Sequence, residues 1–460
     1  MWEYIKNWIS QNPKSILFDK NTIISYDELM QTAEKNGNHL KKSLPAKTKC
    51  AVLCDKGINA AVSVLSCWYA GMVPVPMSKN YGQKHCQNII DLVEPAAILY
   101  DNTIDITCTS LTAEDCLNDV AVIMCTSGTT GTPKGAMITE QGLIKNMENI
   151  SKYFNLQKDD KIIIARPLYH CAVLTGELLV SLYKGLNIGF FDEVYNPASV
   201  IDYINRHEIT VICGTPTLLN HISMYLKRKP CETHIKKIAV SGECLTRTIA
   251  RNIRSVFPET EIYSVYGLTE AAPRVSCLPP EHFDAYPESV GIPLNDTIIK
   301  IADAQNREKE LQSNTHGKIM VTSPSIMKGY YRNEDLTAAV VTDGWLDTGD
   351  IGYKDENGFL YIASREDDMI IKAGMNIYPG EIENVINELP VIESSVAYGV
   401  NGNIAINVVL NKGYDNIGVK ELMKIFGNAL PSYQMPSAVN ITEQIERNAS
   451  GKIIRRRTGT

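Results

Sequence analysis

The chain has 460 residues, more than one ordinary hydrophobic core accommodates, so it divides into at least two domains. Apolar residues make up 44% and charged residues 21%, the proportions of a globular protein, which excludes a disordered or fibrous chain. With 45 Lys and Arg against 52 Asp and Glu the formal net charge is −7, which argues against nucleic acid as a main ligand, because proteins that bind it carry a basic face.

The opening segment, MWEYIKNWISQNPKS, places Glu3, Lys6 and Asn7 where a secretory signal would need an unbroken apolar run. The most apolar stretch, 60–77, is interrupted by Gly71, Pro74 and Pro76 and reads as a core helix followed by a strand, too short to span a bilayer. The twelve cysteines include no C-x-x-C pair and no neighbouring histidines at ligand spacing, so they read as thiols in a reducing compartment. These features place the protein in the cytoplasm, with no membrane span. From about Lys49 to Gly267, short β-branched runs (50–54, 96–100, 120–127, 161–165, 210–214, 236–240 and 261–267) alternate with helical patterns at 140–153, 197–207, 216–228 and 246–257. Continuous apolar strands joined by helices predict a buried parallel sheet in αβα layers. From about 289 to 341 the pattern changes to strands and turns, a small β subdomain. After 366 comes a compact α+β tail with helices expected at 379–388 and 418–427.

The first segment with chemical content follows directly on a strand: Cys125-Thr-Ser-Gly-Thr-Thr-Gly-Thr-Pro-Lys-Gly135. Gly128 and Gly131 let the backbone approach an anion closely and aim its N–H groups at it. The hydroxyls of Thr126, Ser127, Thr129 and Thr130 can donate to phosphate oxygens, and Lys134 adds a positive charge. A P-loop needs G-x-x-x-x-G-K-[ST], whereas here Pro133 precedes the lysine and Gly135 follows it, which argues against a P-loop phosphotransferase. The plain alternative is a Gly/Thr-rich hairpin with a solvated lysine.

Four further segments follow in order: Tyr266-Gly-Leu-Thr-Glu270, Gly344-Trp-Leu-Asp-Thr-Gly-Asp350, Ser364-Arg-Glu-Asp-Asp368 and Asn448-Ala-Ser-Gly-Lys452. In sequence, order and spacing the five resemble the signatures of the adenylate-forming superfamily: acyl- and aryl-CoA synthetases, peptide-synthetase adenylation domains and luciferases. The resemblance covers the chain from about residue 120 to its end. It implies a large N-terminal domain, 1–366, of parallel αβα layers with a β-barrel-like subdomain, and a small mobile α+β domain, 367–460.

By the same resemblance, ATP would be bound by the 126–134 loop, with Tyr266 and Gly267 at the adenine, Thr269 at the α-phosphate and Glu270 holding Mg²⁺, which prefers hard oxygen ligands. Asp350, ending a turn-like segment, would accept from both ribose hydroxyls, and Arg365 would contact ribose or phosphate; without the resemblance Asp350 reads first as a turn former. Lys452 would carry catalysis: attack of a carboxylate on the α-phosphorus brings anions together, and loss of one such electrostatic contact typically costs roughly 10²–10³ in rate. The hinge position is Asp367, and Gly374 would leave room for a pantetheine arm once the C-terminal domain has turned.

Arg166-Pro-Leu-Tyr-His170 resembles the segment lining the acyl pocket in acid–thiol ligases, and Thr215, Ser241, Gly242 and Tyr266 are further wall candidates by position. His170 reads either as a mover with substrate or as a hydrogen-bonded core histidine. No Asp occurs between Arg166 and Gly189 to receive an ammonium group, which argues against an α-amino acid. The chain departs from the family by its shorter length and by a tight Asn401-Gly402 turn where relatives have a longer connection. The expected reaction is adenylation of a small-molecule carboxylic acid and transfer of the acyl group to the thiol of coenzyme A or of a carrier protein's phosphopantetheine. The rivals are amino-acid adenylation for a peptidyl carrier and a non-catalytic nucleotide-binding homologue.

Overall fold

The computed structural model describes residues 1–460 except 55–56, 79, 81, 102, 109–113, 128–132, 373–374, 447–452 and 456–460. Several of its helices begin where the sequence supplies caps. Thr139 accepts from the Gly142 amide at the start of Glu140–Tyr153; Asn196 caps Pro197–His207 and Thr215 caps Pro216–Arg228, each with proline at the first turn. Ser25 and Glu28 form a reciprocal capping box before Tyr26–Ser43.

The largest sheet has nine strands. Six are parallel, in spatial order Glu261–Gly267, Lys237–Val240, Val211–Gly214, Lys161–Ile164, Asn187–Phe190 and Ile16–Phe18. Antiparallel strands finish both edges: Arg274–Leu278 and Ile292–Pro293 on one side, Ile23–Ser25 on the other. A second, four-stranded sheet holds Val73–Met77, Lys49–Leu53 and Ala97–Tyr100 in parallel, with Thr103–Ile106 antiparallel at its edge. The apolar stretch from 60 forms the buried helix Gly57–Ala70 and the strand Val73–Met77. Among the described residues no helix is long and apolar enough to cross a membrane.

Three elements differ from the sequence reading. The strand Val120–Ser127 does not join a parallel sheet; it pairs antiparallel with Pro133–Thr139, because the intervening loop is short enough only for a hairpin. The segment 171–184, given no element above, is helical, with a π-helical turn at Leu174–Leu179 whose six residues are all buried. It is apolar nearly all round, so no amphipathic stripe announces it. The antiparallel strands of the small sheet (Ile298–Ala302, Gly317–Thr322, Val341–Thr342, Trp345–Lys354, Leu360–Arg365) continue past residue 341 to Arg365.

Beyond this sheet, Ile392–Val400, Asn403–Leu410 and Ala438–Ile441 form a three-stranded sheet, packed with the helices Pro379–Asn387 and Val419–Ala429 around a core cluster of their own. The Asn401-Gly402 turn is left-handed at both residues, φ 50° and 71°, as a two-residue hairpin requires.

One polar cluster pins the parallel sheet from inside. Lys237 Nζ lies 3.0 Å from Asp160, which also accepts from the Thr210 hydroxyl and the Gln157 amide at 2.8 Å each. Burial alone would raise the Asp160 carboxyl, but these donors outweigh it and hold the group below its ordinary value. Lys237→Met strands a buried carboxylate, and we expect a loss of about 3–5 kcal/mol in urea denaturation. In the wild type this contribution is present above the unfolded carboxylate value of about 3.9 and disappears as pH falls through the depressed folded value. A stability–pH profile should therefore show the variant's deficit shrinking only in strong acid.

Candidate active site

The C-terminal ends of the strands Val120–Ser127 and Glu261–Gly267 bring two motif segments to the site, and the small sheet supplies a third. Tyr266 and Gly267 end the strand Glu261–Gly267, and Thr269 and Glu270 sit in the one-turn helix Thr269–Ala271 that follows. Gly267 is forced by packing: a Cβ there would lie 1.9 Å from the Pro273 carbonyl oxygen, where the chain doubles back into Arg274–Leu278. The Tyr266 hydroxyl donates to Asp350 Oδ2 at 2.5 Å, and Arg365 Nη1 donates to Asp350 Oδ1 at 2.9 Å. Burial and the Asp350 charge push the Tyr266 hydroxyl well above its ordinary value, so it stays a donor.

Asp350 is not in a turn, as its glycine-rich surroundings suggested. It lies within the ten-residue strand Trp345–Lys354, directly opposite Arg365 across the ladder. The turn character belongs to Asp343-Gly344, and Gly349, at φ 68°, kinks the strand without ending it.

The Glu270 carboxylate accepts from the Tyr330 hydroxyl at 2.8 Å. Tyr330 belongs to the short strand Gly329–Tyr330, which pairs with Pro133–Thr139, the strand that carries Lys134. Lys134 Nζ sits 5.7 Å from the centre of the Tyr330 ring. Lys134 in turn stands opposite Thr126 in the hairpin. Tyr330 thus connects the carboxylate of one motif to the cation of another. Gly128, Thr129, Thr130, Gly131, Gly374 and Lys452 lie outside the described residues, as does the Ser127 side chain.

His170 precedes the turn Cys171–Val173, with its ring 4.4 Å from that of Tyr169. Thr215 spends its hydroxyl on the helix cap and turns its methyl toward Gly242, which has φ 94°. Ser241 is buried with no partner for its Oγ. Asp367 lies in the one-turn helix Glu366–Asp368, just after the last strand of the small sheet. Its neighbour Asp368 is 3.6 Å from Arg455, which is also paired with Glu383 of the helix Pro379–Asn387.

A family model for the AMP-binding enzyme matches residues 5–117 and 108–331. The chain belongs to the AMP-binding enzyme family. It is an adenylate-forming enzyme of the acyl-CoA synthetase kind. A feruloyl-CoA synthase of an Amycolatopsis species is 31% identical over 353 residues, 75% of this chain and 71% of that protein. A 2-succinylbenzoate–CoA ligase of Bacillus licheniformis is 28% identical over 482 aligned positions, with 98% of both chains covered. Among solved structures, o-succinylbenzoate coenzyme A synthetase of Bacillus subtilis in complex with its acyl-adenylate superposes with a TM-score of 0.86 at 25% identity, covering 98% of this chain and 96% of that one. ATP-bound MatB of Rhodopseudomonas palustris superposes with a TM-score of 0.88 at 25% identity, covering 98% and 97%.

The donor set of this AMP-binding enzyme fits Mg²⁺ held jointly with a nucleotide. Among the described residues no group of three or more His, Cys, Asp or Glu side chains gathers to hold a metal alone, so Glu270 can supply one oxygen while phosphates supply others.

Two features escaped the motifs. Tyr330 reaches Glu270 from 60 residues away. Asn146, in the helix Glu140–Tyr153, bonds the main chain of Arg274 on both sides, N–H at 3.1 Å and C=O at 2.8 Å, and so holds the return from the Tyr266–Glu270 segment. Neither has a spacing signal; both are contacts between distant segments. Gly267→Ala should displace Tyr266 and Thr269 together. A misplacement on the order of 1 Å costs about 10²-fold in rate, so we expect acid-dependent ATP–pyrophosphate exchange to fall by about that factor.

Proposed function

We propose that this enzyme activates a carboxylic acid as its acyl-adenylate and then transfers the acyl group to the thiol of a pantetheine, with coenzyme A as the first candidate. The observation that carries the reading is the convergence of Tyr266, Asp350 and Arg365 at one hydrogen-bonded point beside Thr269 and Glu270. The relatives named above, a feruloyl-CoA synthase and 2-succinylbenzoate–CoA ligases, support coenzyme A as acceptor. The Asn401-Gly402 turn leaves a compact surface at the C-terminal domain, and a carrier-protein phosphopantetheine is the alternative thiol.

In the proposed mechanism Asp350 accepts from the ribose hydroxyls while Arg365 and Tyr266 keep it oriented. Tyr266 offers its ring to the adenine, its hydroxyl being anchored. Thr269 donates to the α-phosphate. Glu270, oriented by Tyr330, would hold Mg²⁺, which would screen the charge of the phosphates. Thr126, Ser127, Thr129, Thr130 and Lys134 bind the departing pyrophosphate from the loop side, with Gly128 and Gly131 allowing the approach. The acid lies against His170, Thr215, Ser241 and Gly242. One carboxylate oxygen forms a bond to the α-phosphorus as the bond to pyrophosphate breaks, and Lys452 stabilises the charge on the oxygens between them. The thiolate sulfur then forms a bond to the acyl carbon, and AMP leaves with the carboxylate oxygen that had joined it to phosphorus.

Two tests separate the half-reactions. Lys452→Ala should lower acid-dependent exchange of labelled pyrophosphate into ATP by about 10²–10³-fold. Unchanged exchange would remove Lys452 from the adenylation step. With residues 1–366 and 367–460 as the two bodies and Asp367 as the pivot, Asp367→Pro should slow thioester formation from preformed acyl-adenylate and spare adenylation. Equal loss in both assays would count against a hinge there.

A further inference from the structure

Four cations are buried among the described residues: Lys49, Lys237, Lys318 and Arg274. Lys49 is paired with Glu114, Lys237 with Asp160 at 3.0 Å, and Lys318 with Asp347 at 3.2 Å and Glu366 at 2.7 Å. Arg274 alone makes no ion pair. It is 4% exposed, and its Nε has no hydrogen-bond partner. A guanidinium is costly to bury without an anion, so this exception needs a reason.

Its surroundings deepen the imbalance. Arg274 Nη2 reaches over the backbone of Gly176, 3.3 Å from the point a Cβ there would occupy, in the π-helical turn Leu174–Leu179. The next residue, Glu177, is fully buried and pairs with Arg166 at 2.6 Å, leaving Glu177 Oε2 and Arg166 Nε without partners. Two cations thus face one carboxylate. Burial raises that carboxyl, against the pull of Arg166 and Arg274, which weakens it further as a counter-charge. The titratable groups around it add no counter-charge: burial pushes the Cys171 thiol up to about 12, and holds the Cys213 and Cys277 thiols and the Tyr153 hydroxyl, a neutral hydrogen-bond partner of Arg274, above their ordinary values.

The position is specific. Arg274 stands opposite Gly267 in the sheet, four residues after Glu270, and its side chain reaches Gly176 in the helical segment that follows His170. Cys171 feels the charge of both Arg274 and Glu270. The uncompensated guanidinium therefore lies between the Glu270 motif and the Arg166–Glu177 pair, and Arg166 heads the segment proposed to line the acyl pocket. Asn146 clamps its main chain on both sides, so the side chain starts from a fixed point.

We propose that the acid activated here is a dicarboxylic acid, whose second carboxylate is bound by Arg274. The inference rests on the adenylating reading above. A monocarboxylic acid with a hydrocarbon tail would leave the buried charge unanswered, whereas a distal carboxylate supplies the missing anion and a bidentate partner.

The test uses acids matched in shape: adipic against hexanoic acid, and isophthalic against benzoic acid. In ATP–pyrophosphate exchange, wild type should favour the dicarboxylic member of at least one pair by about 10²-fold or more in kcat/KM. Arg274→Leu should abolish that preference and leave exchange with the monocarboxylic member unchanged or improved, with Arg274→Lys in between. In thermal melting, the same dicarboxylic acid should raise the Tm of wild type and not of Arg274→Leu. Equal use of both members by wild type, or equal loss of both in a variant whose acid-free Tm has also fallen, overturns the proposal while adenylation stands. Exchange with neither class would instead count against adenylation itself, and the acid-dependent Tm difference between wild type and Arg274→Leu would then decide the Arg274 assignment alone.

Discussion

The Asp350 carboxylate is the point on which the arrangement of the site depends. It is buried, so it must have donors, and it takes them from two different sheets: Tyr266 from the parallel sheet and Arg365 from its own antiparallel ladder. A charge-assisted contact of this kind is short and directional. It therefore fixes where the small sheet sits relative to the nucleotide motif. The same logic extends along the ladder. Lys318 joins Asp347 to Glu366, and Arg455 joins Asp368 to Glu383. The segment around Asp367 is thus bracketed by ion pairs, one to the small sheet and one linked to the helix Pro379–Asn387. Partly exposed ion pairs can exchange partners with water at modest cost, which would suit the pivot proposed at Asp367.

Much of the fold was legible because the chain states its boundaries chemically. The helices Glu140–Tyr153, Pro197–His207 and Pro216–Arg228 start at Thr, Asn-Pro and Thr-Pro, and the sequence reading matched their ends to the residue. The parallel strands are short and apolar on both faces, which marks burial. The exceptions share one cause, information that lies off the local chain. Whether Val120–Ser127 joins a parallel sheet or folds back as a hairpin depends on its partner, and its own composition fits both. The kink at Gly349 reads as a turn because a glycine at positive φ serves either purpose. The π-helical turn at Leu174–Leu179 is buried all round and offers no period to read.

The site divides along the same line. Residues that act on the nucleotide occur in compact runs, because a strand end and the loop after it can present several side chains to one ligand. The residues that orient them come from elsewhere. Tyr330 is reached only through pairing with the Lys134 strand, and Asn146 only through a helix packed under the Arg274 return. Glu177 did carry a local signal, a lone acid among Leu174, Leu178, Leu179 and Val180, and such a residue must be paired or functional. Arg166 is that partner, at the head of the pocket segment.

The two halves of the site carry opposite electrostatic characters, and the reaction explains why they should. On the proposed nucleotide side, Glu270 and Asp350 hold neutral or cationic donors and would present oxygen to a metal–nucleotide complex. On the proposed acyl side, Arg166 and Arg274 outnumber Glu177. Adenylation converts the reacting carboxylate into a mixed anhydride, so any attraction to that end weakens as the bond to phosphorus forms. A cation that binds the second carboxylate keeps its anion through both half-reactions. Such binding is equal in ground and transition states of the second step, so it adds no rate by itself. In the proposed reaction it would retain a hydrolysable intermediate while the C-terminal domain turns, the interval in which an acyl-adenylate held only by its nucleotide would be most exposed to loss.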